Sequence, residues 1–251
     1  MHEHIWYAHS VGRIALTLYT HYRVLLIGAA EVLADDLTHA SRLAKEFDLE
    51  LITSDSAVQT EIDKETKLGK TAKWYKDAGK PVPREVVSAS ILEALKRAES
   101  RAHHVRFAGA GPPGWICSGF PASLAELEEL AKSEIKANKV ISIKPDDATV
   151  QKVVARRLSR RRDKFSRRVF YLEDEPDKQA ADRDKNSYLE KLSEDRGDLP
   201  SEEAHTYKTN YDKLHKMLSK SGHVESFVST DPEELAKGML AYVSTVPAGA
   251  L

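Results

Sequence analysis

Residues 23–30, Arg-Val-Leu-Leu-Ile-Gly-Ala-Ala, form a short apolar run that ends in glycine. Such a run can feed a glycine-rich loop and a helix that together cradle a phosphate. Successive backbone N–H groups and the helix N-terminus face the anion, and a lysine neutralises it. The spacing that does this is G-x-x-x-x-G-K-[ST]. From Gly28 the chain instead reads Gly-Ala-Ala-Glu-Val-Leu-Ala-Asp-Asp-Leu. Ala34 stands at the lysine position, with Asp35 and Asp36 behind it. Side chains at Glu31 and Leu33 restrict a backbone that glycines would leave free. Two carboxylates beside a helix N-terminus satisfy its dipole and repel phosphate. Asp35 or Asp36 therefore reads as a built-in substitute for the missing anion. The same segment also fits an ordinary buried strand followed by a helix with an acidic first turn.

A second concentration of chemistry lies at 156–168. Arg156, Arg157, Arg160, Arg161, Arg162, Lys164, Arg167 and Arg168 fall within this one stretch. So dense a cationic run suits contact with RNA or an anionic lipid surface. Equally, it suits a solvated face balanced by Glu173, Asp174, Glu175 and Asp177. Aromatic residues do not interleave with the arginines as a base-stacking platform requires. No carboxylate or cysteine cluster stands beside His2, His4, His9 and His21, so no metal site is expected there. The single cysteine, Cys117, excludes an internal disulfide and sits in an apolar run, where it reads as a small hydrophobe.

The elements that must position these groups alternate. Strands are predicted at 23–28, 50–52, 115–118, 139–143 and 223–228. Helices are predicted at 34–47, 56–63, 67–78, 84–99, 122–138, 146–161, 201–221 and 231–243, the first from Leu37, Ala40, Leu43, Ala44 and Phe47 at helical spacing. A charged segment of low hydrophobicity spans 162–200. Strands alternating with helices imply α/β architecture, a parallel sheet covered on both faces. The glycine- and proline-rich stretch 108–114 is a loop and no phosphate cradle, because prolines remove donors.

Bulk properties agree with one α/β domain: 251 residues, 41% hydrophobic and 31% charged, with a formal net charge of −1. That charge gives no global field favouring nucleic acid or anionic membrane. No run of 18 apolar residues occurs, so no integral membrane span is expected. Residues 1–21 precede the first core strand and carry Ile5, Trp6, Val11, Ile14, Leu16 and Leu18. They lack the basic start and long apolar centre of a secretory signal, and are expected to pack on the domain or on a partner.

Two stretches carry a family resemblance. Residues 66–87 read Thr-Lys-Leu-Gly-Lys-Thr-Ala-Lys-Trp-Tyr-Lys-Asp-Ala-Gly-Lys-Pro-Val-Pro-Arg-Glu-Val-Val, and residues 115–121 read Trp-Ile-Cys-Ser-Gly-Phe-Pro. Together they resemble the adenylate kinase family, in its "LGK…GxLVPDEVV" and "LLDGFPRT" segments. The resemblance runs from about Tyr22 to Tyr242. It implies a three-layer α/β/α fold with a central parallel sheet, a helical insert near 53–84 like that family's nucleoside-monophosphate (NMP) domain, and a lid-like insert near 160–200. With the extension 1–21, the expected organisation is a single domain over 22–251.

Carried over residue by residue, the resemblance implies losses at ligand-contacting positions. Ala34 replaces the loop lysine. Ile52-Thr53-Ser54-Asp55-Ser56 stands for "ISTGD", and Gln59 replaces an arginine that grips the monophosphate. Ser118 replaces the aspartate of "DGFPRT", Ala122 its arginine, and Glu126 the glutamine that recognises the adenine base. The lid keeps Arg156 and Arg157 at the hinge and Arg196 in Asp195-Arg196-Gly197-Asp198, while Lys152 stands where another lid arginine is expected.

Phosphoryl transfer depends on positioning and on cations, so these losses lead to the expectation of a non-catalytic protein. It would have no catalytic residues, no cofactor and no metal, and would be an accessory subunit among protein partners in a larger complex. A mitochondrial complex is expected ahead of a ciliary axoneme or a cytoplasmic setting. Two alternatives stay open. One is a nucleotide-sensing module using the residual lid candidates Arg156, Arg157 and Arg196. The other is a weakly active nucleoside-monophosphate kinase.

Overall fold

The computed structural model describes residues 22–28, 38–108, 114–144, 147–166, 168–182, 187–192, 195–220, 224–227 and 232–245. The extension 1–21, the loop with Ala34 and Asp35, and Arg167 lie outside these residues.

Five strands form one parallel sheet: β1 (Arg23–Gly28), β2 (Glu50–Ile52), β3 (Trp115–Ser118), β4 (Lys139–Ile143) and β8 (Val224–Phe227), in the order β2-β3-β1-β4-β8. The register places Leu25 beside Cys117 on one side and beside Val140 on the other. Strand side chains point alternately to the two faces, and β1 shows the consequence. Leu25 and Ile27 enter a core with α2 (Ser54–Asp63), α4 (Arg84–Ala108), α5 (Leu124–Lys132) and Leu218 of α8 (Leu199–Ser219). Val24 and Leu26 enter a second core with α1 (Thr38–Glu46) and α9 (Pro232–Ser244), through Leu43, Leu235, Met239 and Val243. A strand buried on both faces is near-continuously apolar, which is why β1 was legible as a strand. The three-layer α/β/α reading holds.

Two inserts leave this core. After β2, α2 and α3 (Lys67–Asp77) form a helical pair ahead of α4. Thr53 caps α2 in a reciprocal box with Ser56, and Thr66 caps α3 by accepting from the Gly69 N–H at 3.0 Å. At Gly69 the two helices touch: a Cβ there would lie 1.9 Å from the Glu61 carbonyl oxygen. Only glycine permits that approach.

The second insert follows α6 (Asp147–Leu158). It is a three-stranded antiparallel sheet, β5 (Arg160–Asp163), β6 (Val169–Tyr171) and β7 (Leu189–Glu190), in the order β6-β5-β7, with α7 (Pro176–Asp182) between β6 and β7.

Several boundaries differ from expectation. Helix α4 runs on to Ala108 instead of ending at 99, because Glu99, Ser100 and Arg101 are compatible with helix and find partners: Glu99 accepts from Arg23 and Trp115, and Arg101 pairs with Glu50. Helix α5 stops at Lys132, earlier than 138, where Ser133 caps it and Glu134 turns to φ +64°. Helix α6 stops at Leu158, and Arg160 begins a strand instead, its side chain drawn into the buried carboxylate of Asp195.

Candidate active site

In an open parallel sheet, ligands bind beyond the carboxyl ends of the strands, where the connections reverse direction. Here the reversal is at β1. The chain leaves β1 toward β2 and β3 on one side, then continues with β4 and β8 on the other. The candidate cleft therefore lies beyond Gly28, Ser118 and Ile143.

Beyond β3 the chain turns through Gly119 (φ +78°) and a cis Phe120–Pro121 bond. Phe120 is fully buried, and Ser123 caps α5 by accepting from the Glu126 N–H at 3.2 Å. This turn brings Glu126 back under the loop, where its carboxylate is 5% exposed. Oε1 accepts from Arg84 Nε at 2.5 Å and Ser88 Oγ at 2.9 Å. Oε2 accepts from the second Arg84 nitrogen at 3.1 Å and the Ala122 N–H at 2.7 Å. Both oxygens are thus engaged by donors of the chain itself. Arg84 also donates to the Gly119 carbonyl at 3.3 Å.

Arg84 is the residue that motif reading missed. Its guanidinium and the Ala122 N–H meet on one carboxylate oxygen, so the cation stands beside the very position where the resemblance implies a lost arginine. It is 43% exposed. The available signal was the pairing of an arginine in "VPREVV" with a glutamate at the base-reading position, two charges that make sense only together.

On the β4 side, Ser142 and Tyr211 of α8 share a buried hydrogen bond of 2.7 Å. Burial raises the Tyr211 pKa, offset in part by Ser142. Tyr211 packs against Ala122 and Val150, closing the floor where an arginine side chain would extend. Next to it a groove of about 450 Å³ runs between α6 and α8, lined by Val150, Val154, Leu158, Ala204 and His205, with Lys208 paired to Asp147 at one end.

The other predicted residues are placed as follows. Gln59 is exposed on α2 and donates to Asp63 at 2.8 Å. Arg156 pairs with Glu173 at 2.6 Å and Asp174 at 2.9 Å and lies 4.0 Å over the Tyr171 ring. Its pKa is raised, first by the hydrogen bond to Asp174. Arg157 donates to the fully buried Asp195 at 2.7 Å and to Glu203 at 2.7 Å. Burial opposes its charge, but Glu203 and Asp195 carry its pKa above the ordinary value. Arg196 reaches Gly79 O at 3.4 Å and Lys191 O at 3.5 Å, joining the lid-like sheet to the end of the helical insert.

The three lid candidates thus do not converge on one pocket. Nor do Arg160, Arg161 and Arg162 form an open cationic surface: Arg160 pairs with Asp195, Arg161 with Asp182 and Arg162 with Glu190, at 2.5–2.7 Å. Among the described residues, no helix is long and apolar enough to cross a membrane.

Comparison with known proteins places this geometry. A protein named adenylate kinase from Archaeoglobus fulgidus is 28% identical over 191 residues, covering 74% of this chain and 81% of that protein. One of the same name from Streptomyces lividans is 26% identical over 216 residues, covering 84% of this chain and all of that protein. The chain belongs to the adenylate kinase family. A further adenylate kinase, from Nitratidesulfovibrio vulgaris, is 30% identical over 145 residues, and there the match spans 60% of the relative's length. No family model matches the chain.

Membership in this family corrects the expectation that the chain is not an enzyme. Its relatives are named for a kinase activity, and nothing in the comparisons or in the described residues shows that activity to be lost. The expectation summed the lost lysine, the lost arginines and the altered loop. It did not count a cation such as Arg84 arriving from another element.

Proposed function

We propose that the chain is an adenylate kinase-type phosphotransferase that works beyond the carboxyl ends of β1, β3 and β4. In the reaction proposed, an oxygen of a nucleoside monophosphate attacks the terminal phosphorus of a nucleoside triphosphate. The bond from that phosphorus to its bridging oxygen breaks, and two diphosphates leave. The protein's part is to align the two nucleotides and hold cations on the phosphates.

The observation that carries this reading is the placement of Arg84. Its guanidinium is fixed by Glu126 beside the Gly119–Ala122 turn and remains partly exposed. It places a guanidinium, paired with one carboxylate, beside Ala122, where the resemblance implies an arginine. The engagement of Arg156 and Arg157 by carboxylates weighs against a sensor built on those two residues alone.

The test is ADP disproportionation by the full chain, with magnesium present and ATP and AMP quantified separately. Turnover above an enzyme-free blank supports the reading, and none at micromolar enzyme overturns it. Removing one group that stabilises charge in a transition state costs about 10²–10³ in rate. Arg84→Ala is therefore expected to lose at least about 10² while its circular dichroism stays that of the parent. Thermal shifts separate binding from turnover: a nucleotide at ~100 times its Kd stabilises by about 2.7 kcal/mol.

A further inference from the structure

Arg156, Arg157, Arg160, Arg161 and Arg162 are paired with carboxylates, but the lysines of another face are not. Helix α3 buries Gly69 and Ala72 against its neighbours and turns Lys67, Lys70 and Trp74 outward. These three lie at i, i+3 and i+7, on one side of the helix. Trp74 is 56% exposed, against 1% for Trp115 in the core. Lys80 lies over its ring at 5.5 Å, and Tyr75 meets it edge-on at 4.9 Å. Among the described residues, Lys67, Lys70 and Lys80 have no ion pair. The neighbouring Asp77 is taken by Lys73 at 3.0 Å.

We infer that this face of α3 docks on an anionic lipid bilayer, with Trp74 at the headgroup level and Lys67, Lys70 and Lys80 on lipid phosphates and carboxylates. Three observations select that occupant. First, unpaired ammonium groups without a matching carboxylate call for an anionic partner. Second, Lys67, Lys70 and Trp74 lie along one side of the helix and Lys80 follows it over the Trp74 ring, an arrangement a flat surface can meet. An indole with an apolar body and a polar N–H suits a membrane interface, and lysine stems bury alongside it with the charges in water. Third, single-stranded nucleic acid fits less well. Successive bases need several aromatic faces along a groove, and here one indole projects from a convex helix with Lys80 already over its ring.

The test is cosedimentation of the full chain with vesicles of 70:30 phosphatidylcholine and phosphatidylserine, against pure phosphatidylcholine. Binding is expected to the anionic vesicles alone and to weaken as salt rises from 0.1 to 0.5 M. Each lysine near such a surface is worth roughly fivefold in affinity, so Lys67→Gln/Lys70→Gln should weaken binding about 25-fold. Brominated lipid should quench fluorescence in the parent, and that quenching should vanish in Trp74→Phe. All three positions are exposed, and circular dichroism checks that the variants fold. Absence of vesicle binding overturns the inference. So does binding that survives the double variant but is lost in Lys164→Gln/Arg168→Gln, which would move the contact to the lid-like sheet. Trp74-dependent binding of a single-stranded RNA oligonucleotide without vesicle binding also overturns it, in favour of nucleic acid.

Discussion

Arg84 and Glu126 meet in a two-pronged ion pair at 2.5 and 3.1 Å that ties the first turn of α4 to α5 across the cleft floor. The carboxylate is buried and the guanidinium half-exposed, so the two partners have unequal stakes. Removing the arginine strands a buried charge, whereas removing the glutamate leaves a cation that water can reach.

The pair should therefore respond asymmetrically. Loss of one partner of a buried pair costs 3–5 kcal/mol in general. Ser88 and the Ala122 N–H still serve the carboxylate, so Arg84→Ala should cost about 2 kcal/mol, the order of one lost charged hydrogen-bond partner. Glu126→Gln/Arg84→Met, which removes both charges, should cost less than the sum of its single changes. Urea unfolding of the four proteins in a cycle measures this. A coupling below about 0.5 kcal/mol would show that the pair does not hold the turn.

Asp195 presents the opposite balance. It is fully buried with two arginines on it, Arg157 at 2.7 Å and Arg160 at 2.5 Å. Asp195→Asn keeps the shape but leaves the buried Arg160 without its carboxylate, a loss in the 3–5 kcal/mol class for buried pairs. The lid-like sheet adjoins the core through few elements, so local opening should precede global unfolding. Limited proteolysis should cut the variant within 160–190 while the parallel core persists. Equal cleavage of parent and variant would rule out Asp195 as the anchor of the insert.

These two pairs mark what could and could not be read from the chain alone. The core strands were legible because each is a short apolar run buried on both faces, and Val24–Ile27 has no other stable use. Helical spacing of Leu37, Ala40, Leu43, Ala44 and Phe47 located α1, one face of which packs in the core. The pairing of Arg156 with Glu173 and Asp174 followed the expected acidic balance, but that of other arginines was not legible, since their partners are remote in sequence: Arg157 pairs with Asp195 and Glu203, and Arg84 with Glu126. A charge run looks solvent-facing until the fold brings carboxylates to it. Strand β5, Arg-Arg-Arg-Asp, carries no apolar alternation at all. Its pairing is specified by cross-strand contacts such as Arg162 with Glu190.

Gly69 offers a steric prediction. Its position in "LGK" places α3 so near α2 that a methyl group would overlap the Glu61 carbonyl. An alanine would ordinarily favour a helix by about 1 kcal/mol over glycine. Gly69→Ala should nevertheless destabilise, by about 3 kcal/mol or more, because the backbones themselves must separate. In a domain of this size that lowers Tm by roughly 6–12 °C. A Tm equal to or above that of the parent would mean that the two helices pack less closely than described.

Glu61 gives the pH dependence. Its side chain is 2% exposed, a burial that raises its pKa, yet hydrogen bonds from Thr66 at 2.5 Å and Arg97 at 2.6 Å outweigh this and carry it below the ordinary 4.5. A carboxylate with a depressed folded-state pKa contributes stability above its unfolded-state value and loses it as pH falls through the folded value. Unfolding free energy should thus fall as pH drops below about 4.5. Thr66→Val removes one of the two side-chain donors, so its profile should be flatter than the parent's in that window and lower on the neutral side. Glu61→Gln should lose this part of the dependence altogether. Parallel curves for parent and Glu61→Gln between pH 6 and pH 3, read by urea unfolding at each pH, would assign the acid sensitivity to other carboxylates.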